Sequence, residues 1–109
     1  MAQISTLLTR AADALPARGD GAEPALRAYL KAASRSFASN DWKPADEAWA
    51  KMNVDNSRWY LRVGPDETYW DPCAQKAGFH LTLARINPGS KEWQGRLAPL
   101  LPQLEAAIA

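Results

Sequence analysis

The sequence predicts an α+β domain: a helical hairpin and a third, short helix, then a small antiparallel sheet of three strands, then a kinked C-terminal helix. Apolar residues recur at helical spacing in both terminal parts of the chain, and three aromatic and β-branched runs lie between them. At 109 residues the chain is long enough for one domain. We expect a helical part at 1–53, a β part at 57–87 and a C-terminal helix at 90–108.

Two apolar stripes predict the helical hairpin. Pro16 ends the first helix, and a loop with Gly19-Asp20-Gly21 leads to Pro24, which suits the first turn of the second helix. Loops of this length join antiparallel helices. The first stripe consists of Ile4, Leu7, Leu8, Ala11 and Leu15, and the second of Leu26, Tyr29, Leu30, Ala33 and Phe37.

Pro44 opens the third, short helix, in which Ala45, Trp49 and Met52 share one face. Asp46 and Glu47 fall in its first turn, where the helix dipole favours negative charge. Their types also suit a ligand-facing role, so both interpretations of these carboxylates stay open.

Three strands are predicted, from Trp59 to Val63, from Glu67 to Trp70 and from Phe79 to Ile86. The turn Val63-Gly64-Pro65-Asp66 predicts a tight antiparallel pairing of the first two, and Asp71-Pro72-Cys73 separates the second from the third. Alternation places an apolar face on the first and last strands, and we expect helices to cover it. This face consists of Trp59, Leu61 and Val63 and of Phe79, Leu81 and Leu83.

The last helix is predicted to begin after Ser90, which suits an N-cap, and to pack over the sheet. Pro99 and Pro102 interrupt it, so we expect a kink or a break between Ala98 and Gln103. Its apolar stripe is the widest in the chain and consists of Trp93, Leu97, Leu100, Leu101, Leu104 and Ile108.

Charge and composition exclude several classes of function. Thirteen Lys and Arg residues against twelve Asp and Glu residues give a net charge of +1, with no basic run, so no nucleic-acid partner is expected. One cysteine forms no internal disulfide, which fits a reducing compartment. We see no secretory signal and no membrane span in the sequence, and a cytoplasmic location is the expectation.

Two stretches carry a family resemblance. The run GPDETYWDP at 64–72, followed by KAGFHLTLARIN at 76–87, resembles a segment of the dipeptidyl peptidase III family of zinc metallopeptidases and its bacterial relatives. There a Gly-x-x-Glu-Ser/Thr-Tyr-x-Asp element precedes a Lys-Ala-x-Phe-like strand. Upstream, SNDWKPADEAW at 39–49 is similar to the Ser-Asn-Asp-aromatic and Ser-Asp-x-x-Trp spacing of the bacterial relatives. With the flanking helices, the match covers about residues 26–108.

Family members are several hundred residues long and carry a His-Glu-x-x-Gly-His or similar zinc motif downstream of this segment. None of these 109 residues forms such a motif, so the resemblance implies a non-catalytic part of such an enzyme. His80 is the only histidine and Cys73 the only cysteine, and a two-histidine zinc site cannot be built from them. We expect no catalytic residue, metal ligand set or cofactor here, with zinc only in a missing catalytic part. A Cys73–His80 nucleophile pair is the alternative, but no orienting group is evident.

The resemblance implies a peptide-binding role for Glu67, Tyr69 and Asp71, because in the family this element lies beside the peptide cleft. A carboxylate binds a peptide ammonium group, and a phenol donates to a carbonyl. The alternative is structural: Glu67 pairs with Arg62 or Arg58 across the sheet, and Tyr69 packs with a polar tip.

Two functional hypotheses follow. The chain is a peptide-binding lobe or fragment resembling part of a dipeptidyl-peptidase-III-like enzyme, inactive alone, with a peptide ligand or a missing catalytic domain as partner. Alternatively, it is a free-standing module that holds a peptide or protein in its cleft or at its sheet edge, and an oligomer is compatible with this.

Overall fold

The computed structural model describes residues 2–66 and 78–109 and has the α+β class that the sequence predicts. Three helices precede a pair of strands, and two further helices follow them. No helix in these two ranges has both the length and the hydropathy that a membrane crossing requires. The elements are α1 (Ala2–Ala14), α2 (Pro24–Ser39), α3 (Lys43–Ala50), β1 (Trp59–Asp66), β2 (Gly78–Arg85), α4 (Pro88–Leu97), a 3₁₀ turn (Ala98–Leu100) and α5 (Leu101–Ile108).

The predicted hairpin of α1 and α2 is confirmed, and α2 is its buried member. Every residue of the predicted stripe of α2 is buried. Because this helix has α1 on one side and the sheet on another, its apolar stripe is covered along its length. The buried cluster of the domain consists of Ala12, Leu26, Tyr29, Leu30, Ala32, Ala33, Ala45 and Leu61.

Helix α1 packs on a face rotated from the predicted stripe. Ala12 is fully buried, whereas Leu7 and Ala11 of that stripe are exposed. Two hydroxyl contacts explain the rotation: Ser5 Oγ donates to the carbonyl oxygen of Ser34 over 2.8 Å, and Thr9 Oγ1 lies 2.8 Å from Ser34 Oγ. Small residues therefore take part in this helix contact, since they let the backbones approach and hydrogen-bond through short side chains. Leu8 and Leu15 of the predicted stripe also pack against the buried cluster.

The predicted three-stranded sheet is wrong for the part of the chain that the structure describes, where the sheet has two strands. β1 pairs directly with β2, with Trp59 opposite Arg85 and Asp66 opposite Gly78. The tight turn predicted at 63–66 does not form, because these residues belong to β1. The other predicted strand, Glu67 to Trp70, lies outside the described residues.

Gly64 and Pro65, which predict a turn in the sequence, have other roles in β1. A Cβ atom on Gly64 would lie 3.0 Å from a ring carbon of Trp42, so glycine leaves room for that indole. The bond from Ile86 N to Arg58 O, at 2.8 Å, shows that even-numbered residues of β1 form the ladder with β2. The absent N–H of Pro65 therefore falls at the outer edge and costs no ladder bond.

Helices cover both faces of β1 but leave β2 exposed. Leu61 is only 8% exposed and lies in the cluster around α2, and Val63 packs against the same cluster. On the opposite face, Trp49 of α3 lies edge-on to Tyr60 with ring centres 6.2 Å apart, and the Arg62 guanidinium lies 5.4 Å from the centre of the Trp49 ring. The predicted cover of the apolar face thus exists for Leu61 and Val63, but not for Trp59, which is 40% exposed, nor for β2.

The C-terminal helix is interrupted where the sequence predicts a break, but it does not cover the sheet. Asn87, not Ser90, caps α4, and its side chain accepts a hydrogen bond from the Gly89 amide over 2.9 Å. Pro99 and Pro102 fall in the first turns of the 3₁₀ segment and of α5, where a missing N–H is tolerated. Residues 88–108, here called the C-terminal arm, have no buried residue.

Candidate functional site

The outer edge of β1 is closed by two side-chain hydroxyls. Tyr29 Oη accepts a hydrogen bond from Val63 N over 2.8 Å and donates one to Val63 O over 3.1 Å. Ser57 Oγ is bonded in the same way to Trp59, at 3.2 Å from its amide nitrogen and 2.6 Å from its carbonyl oxygen. The outward backbone groups of Val63 and Trp59, which would otherwise be open to a third strand, are thereby satisfied.

Burial raises the pKa of the Tyr29 phenol, because a buried phenolate would lose its hydration. The hydrogen bond with the Val63 backbone lowers the pKa and is the smaller effect. Tyr29 is therefore a neutral phenol that both accepts and donates, as its two bonds to the strand require.

The outer edge of β2 lies on the opposite side of the sheet from the outer edge of β1, and its backbone groups also point away from the ladder. Odd-numbered residues of β1 direct their backbone groups away from β2, and the same ladder geometry directs those of Phe79, Leu81 and Leu83 away from β1. Within residues 2–66 and 78–109, no strand pairs with these groups. We call this row of outward-directed amides and carbonyls the β2 edge.

The side chains of the same three residues form an exposed apolar face, here called the β2 face. Phe79, Leu81 and Leu83 are 48%, 69% and 63% exposed. Their partners across the ladder lie over the helices, whereas β2 is one strand spacing further out. The ring of Phe79 stacks on Phe37 of α2 with ring centres 5.8 Å apart, which anchors one end of the face to the core.

Apart from the sheet, a concave region lies between the hairpin loop and the start of β1. Glu23 is buried there with a φ of 43°, a left-handed conformation that is uncommon for a residue with a side chain. Its Oε2 accepts from the Arg58 amide over 3.0 Å, and its Oε1 lies 3.9 Å from Arg58 Nε. These contacts tie α2 to β1. The cavity measures about 470 Å³ and is lined by Gly19, Asp20, Glu23, Pro24, Val54, Asp55, Asn56, Ser57 and Arg58.

A smaller cavity of about 80 Å³ separates α3 from β1. Trp42, Trp49 and Asp46 line it on the helix side, and Arg62 lines it on the strand side. The indole nitrogen of Trp49 is buried and has no hydrogen-bond partner among the described residues. Arg62 already occupies the face of this ring, so the cavity is part of the packing of α3 on the sheet.

The predicted peptide-binding residues Glu67, Tyr69 and Asp71 lie outside the described residues, as does Cys73. Their proposed roles stay predictions. His80 lies in β2 opposite Gly64, on the face away from Phe79 and Leu81, as the alternation predicts. Among the described residues no group of three or more His, Cys, Asp and Glu side chains is placed to hold a metal ion.

No family model, curated protein or solved structure matches this chain. The resemblance to dipeptidyl peptidase III therefore remains a prediction from the residues that carry it.

Sequence reasoning missed the hydrogen bonds of Tyr29 to β1 and the β2 edge, with which no described strand pairs. A signal for the first is present, because a tyrosine in a buried helical stripe needs a partner for its hydroxyl. For the second, the alternation of Phe79, Leu81 and Leu83 predicts an apolar face but does not show whether a helix covers it. Whether a helix covers this face depends on where α2 and the C-terminal arm lie.

Proposed function

We propose that this chain is a non-catalytic protein-interaction module in which an extended segment of a partner adds to the β2 edge. The observation that carries the proposal is the contrast between the two edges of the sheet. Side-chain hydroxyls of Tyr29 and Ser57 satisfy the outward backbone groups of Val63 and Trp59 in β1. The equivalent groups of β2 meet no strand from the described residues.

The side chains along β2 support the same function. Natural proteins protect open edges with charges, prolines or bulges, and β1 has both a proline and closing hydroxyls. The corresponding positions of β2 are Phe79, Leu81 and Leu83, and the first charge on that face is Arg85. An added strand with alternate apolar residues would continue the β2 face while its backbone pairs with the edge.

The non-catalytic part of the proposal rests on the sequence, where one histidine and one cysteine cannot form a two-histidine zinc site. A cytoplasmic location is proposed with it, because a single cysteine forms no internal disulfide. The peptidase-lobe hypothesis depends on Glu67, Tyr69 and Asp71, and no contact among the described residues favours it.

The test uses an extended peptide of alternating valine and threonine, six residues long and blocked at both ends. Amide chemical shifts of the isotopically labelled chain are followed during titration. We expect shifts concentrated on Phe79, Leu81 and Leu83, with a millimolar dissociation constant, about −4 kcal/mol, because a short flexible strand loses entropy on binding.

Two methylated versions of the peptide are the controls, one N-methylated at every valine and the other at every threonine. Only one set of alternate amides faces an adjoining strand, so one version should lose binding and the other should keep it. Equal binding of both versions, or shifts that lie away from β2, would contradict strand addition.

A further inference from the structure

The C-terminal arm presents a continuous apolar stripe to solvent. Its side chains are between 44% and 87% exposed. Of the charged side chains of α4, Arg96 lies over the Trp93 ring, 5.4 Å from its centre, and pairs with Glu92 over 2.6 Å. The stripe can therefore be covered without burying an unpaired charge. It consists of Trp93, Leu97, Leu100, Leu101, Leu104 and Ile108.

The arm does not reach the β2 face of its own chain. Only Ile86 and Asn87 separate β2 from α4, and the ion pair of Lys91 with Asp55, at 2.5 Å, holds the first turn of α4 beside the loop before β1. The chain measures 50 × 48 × 19 Å with a radius of gyration of 17.4 Å. A compact chain of this length has a radius of gyration of about 13 Å, so this chain is more extended than a compact domain.

We infer that the arm of one copy packs on the β2 face of a second copy, and that the two copies exchange arms reciprocally. The inference rests on the proposed function in one respect, namely that β2 is an interaction strand, but it concerns the β2 face and not the β2 edge. Each chain carries both an arm and a β2 face, so a two-fold arrangement covers both surfaces in both copies and closes the assembly.

The exposed area and the lengths of the arm and of β2 are compatible with a second copy as the partner. The exposed apolar residues of the arm and the β2 face together present about 1,000 Å² per copy, the upper limit of what the exchange buries from them, against about 800 Å² per partner in a standard interface. An eight-residue strand is about 27 Å long. The arm is about 33 Å long at the rise of its helical segments, so it spans the whole β2 face and extends beyond it.

The test is size-exclusion chromatography with light scattering on the full chain over a range of concentrations. We expect twice the monomer mass of 12.0 kDa. Leu101→Asp in the arm and Leu81→Asp in β2 should each give monomers with at least a ~10-fold weaker association, because each places a charge in the apolar contact. Both residues are exposed in the monomer, so the variants should keep the circular dichroism of the parent chain. Gln103→Asp, off the stripe, should remain a dimer.

Mixing the Leu101→Asp and Leu81→Asp chains provides the decisive control. The first retains a β2 face and the second retains an arm, so the mixture should form a heterodimer through one intact contact. A monomeric parent chain at every concentration would overturn the inference, as would a Leu81→Asp chain that stays dimeric, since that result indicates pairing between arms.

The inference and the proposed function fail separately. The monomeric Leu101→Asp chain keeps the β2 edge and should still bind the valine and threonine peptide. A monomeric parent chain that binds this peptide overturns the arm exchange alone. A dimeric parent chain whose Leu101→Asp monomer ignores the peptide supports the arm exchange and overturns strand addition.

Discussion

Tyr29 and Val63 are joined by two hydrogen bonds through one phenolic oxygen, which lies 2.8 Å from the amide nitrogen and 3.1 Å from the carbonyl oxygen of the strand residue. A helix side chain therefore takes the place that a neighbouring strand would have. Because this contact occupies the outer edge of β1 at Val63, that edge differs from the β2 edge, with which no strand of the described residues pairs.

Tyr29→Phe should destabilise the chain by about 1–3 kcal/mol, since it leaves a partly buried amide and carbonyl of Val63 without partners. Urea unfolding followed by circular dichroism measures the loss. Tyr60→Phe is the matched control, because its ring keeps the edge-on contact with Trp49 and the bonds of Tyr29 remain. Equal losses for the two variants would show that the bonds to Val63 contribute nothing.

The raised pKa of Tyr29 predicts a loss of stability in alkali. Because the folded pKa lies above the unfolded value of about 10, the contribution of Tyr29 is complete below pH ~10 and is lost as pH rises through the folded pKa. The difference in unfolding free energy between the parent chain and Tyr29→Phe should shrink in that window. A difference that is constant or grows above pH ~10 would contradict the direction of the shift.

Ala12→Leu and Ala11→Leu form a matched pair that tests the rotated face of α1. Ala12 is fully buried against α2, so the larger side chain should cost about 1–3 kcal/mol through overpacking. Ala11 is exposed, and leucine there should change the unfolding free energy by no more than about 0.5 kcal/mol. Thermal unfolding of both variants decides between the observed face and the stripe predicted from the sequence.

Gly64→Ala should destabilise the chain, because its Cβ atom would meet the Trp42 ring at 3.0 Å and the indole would have to move. We expect a cost of about 1–3 kcal/mol, with a change in near-ultraviolet circular dichroism from the displaced ring. Gly95→Ala is the control: a Cβ atom there meets nothing within 4 Å, and alanine favours the helix by up to about 1 kcal/mol. A neutral Gly64→Ala would show that the glycine has no packing role.

The helices were largely predictable because burial of one stripe leaves a periodic pattern, and the stripe of α2 is buried as predicted. The pairing of the strands was harder to predict. Gly64 and Pro65 predict a turn from local preference, but glycine here makes space for Trp42 and proline occupies an outward position. Local sequence cannot distinguish these uses, because both depend on what packs beside the strand.

The apolar stripe of the C-terminal arm is the widest in the sequence, yet its predicted position over the sheet is wrong. Its spacing predicts a covered helix but not which surface covers it, and Trp93 and Leu101 are exposed in the single chain. The same holds for Leu81 in β2. Sequence reasoning could therefore not find the β2 edge and the β2 face. What identifies them is that no described strand pairs with the edge and no described helix covers the face.

Amide hydrogen exchange along β2 tests the open edge most directly. In the free chain, Leu81 and Leu83 should exchange at least ~10-fold faster than Thr82 and Ala84, whose amides bond to β1, and saturation with the valine and threonine peptide should remove this alternation. Equal and slow exchange of all four amides without the peptide would show that the β2 edge is already paired and would contradict its role as a binding edge.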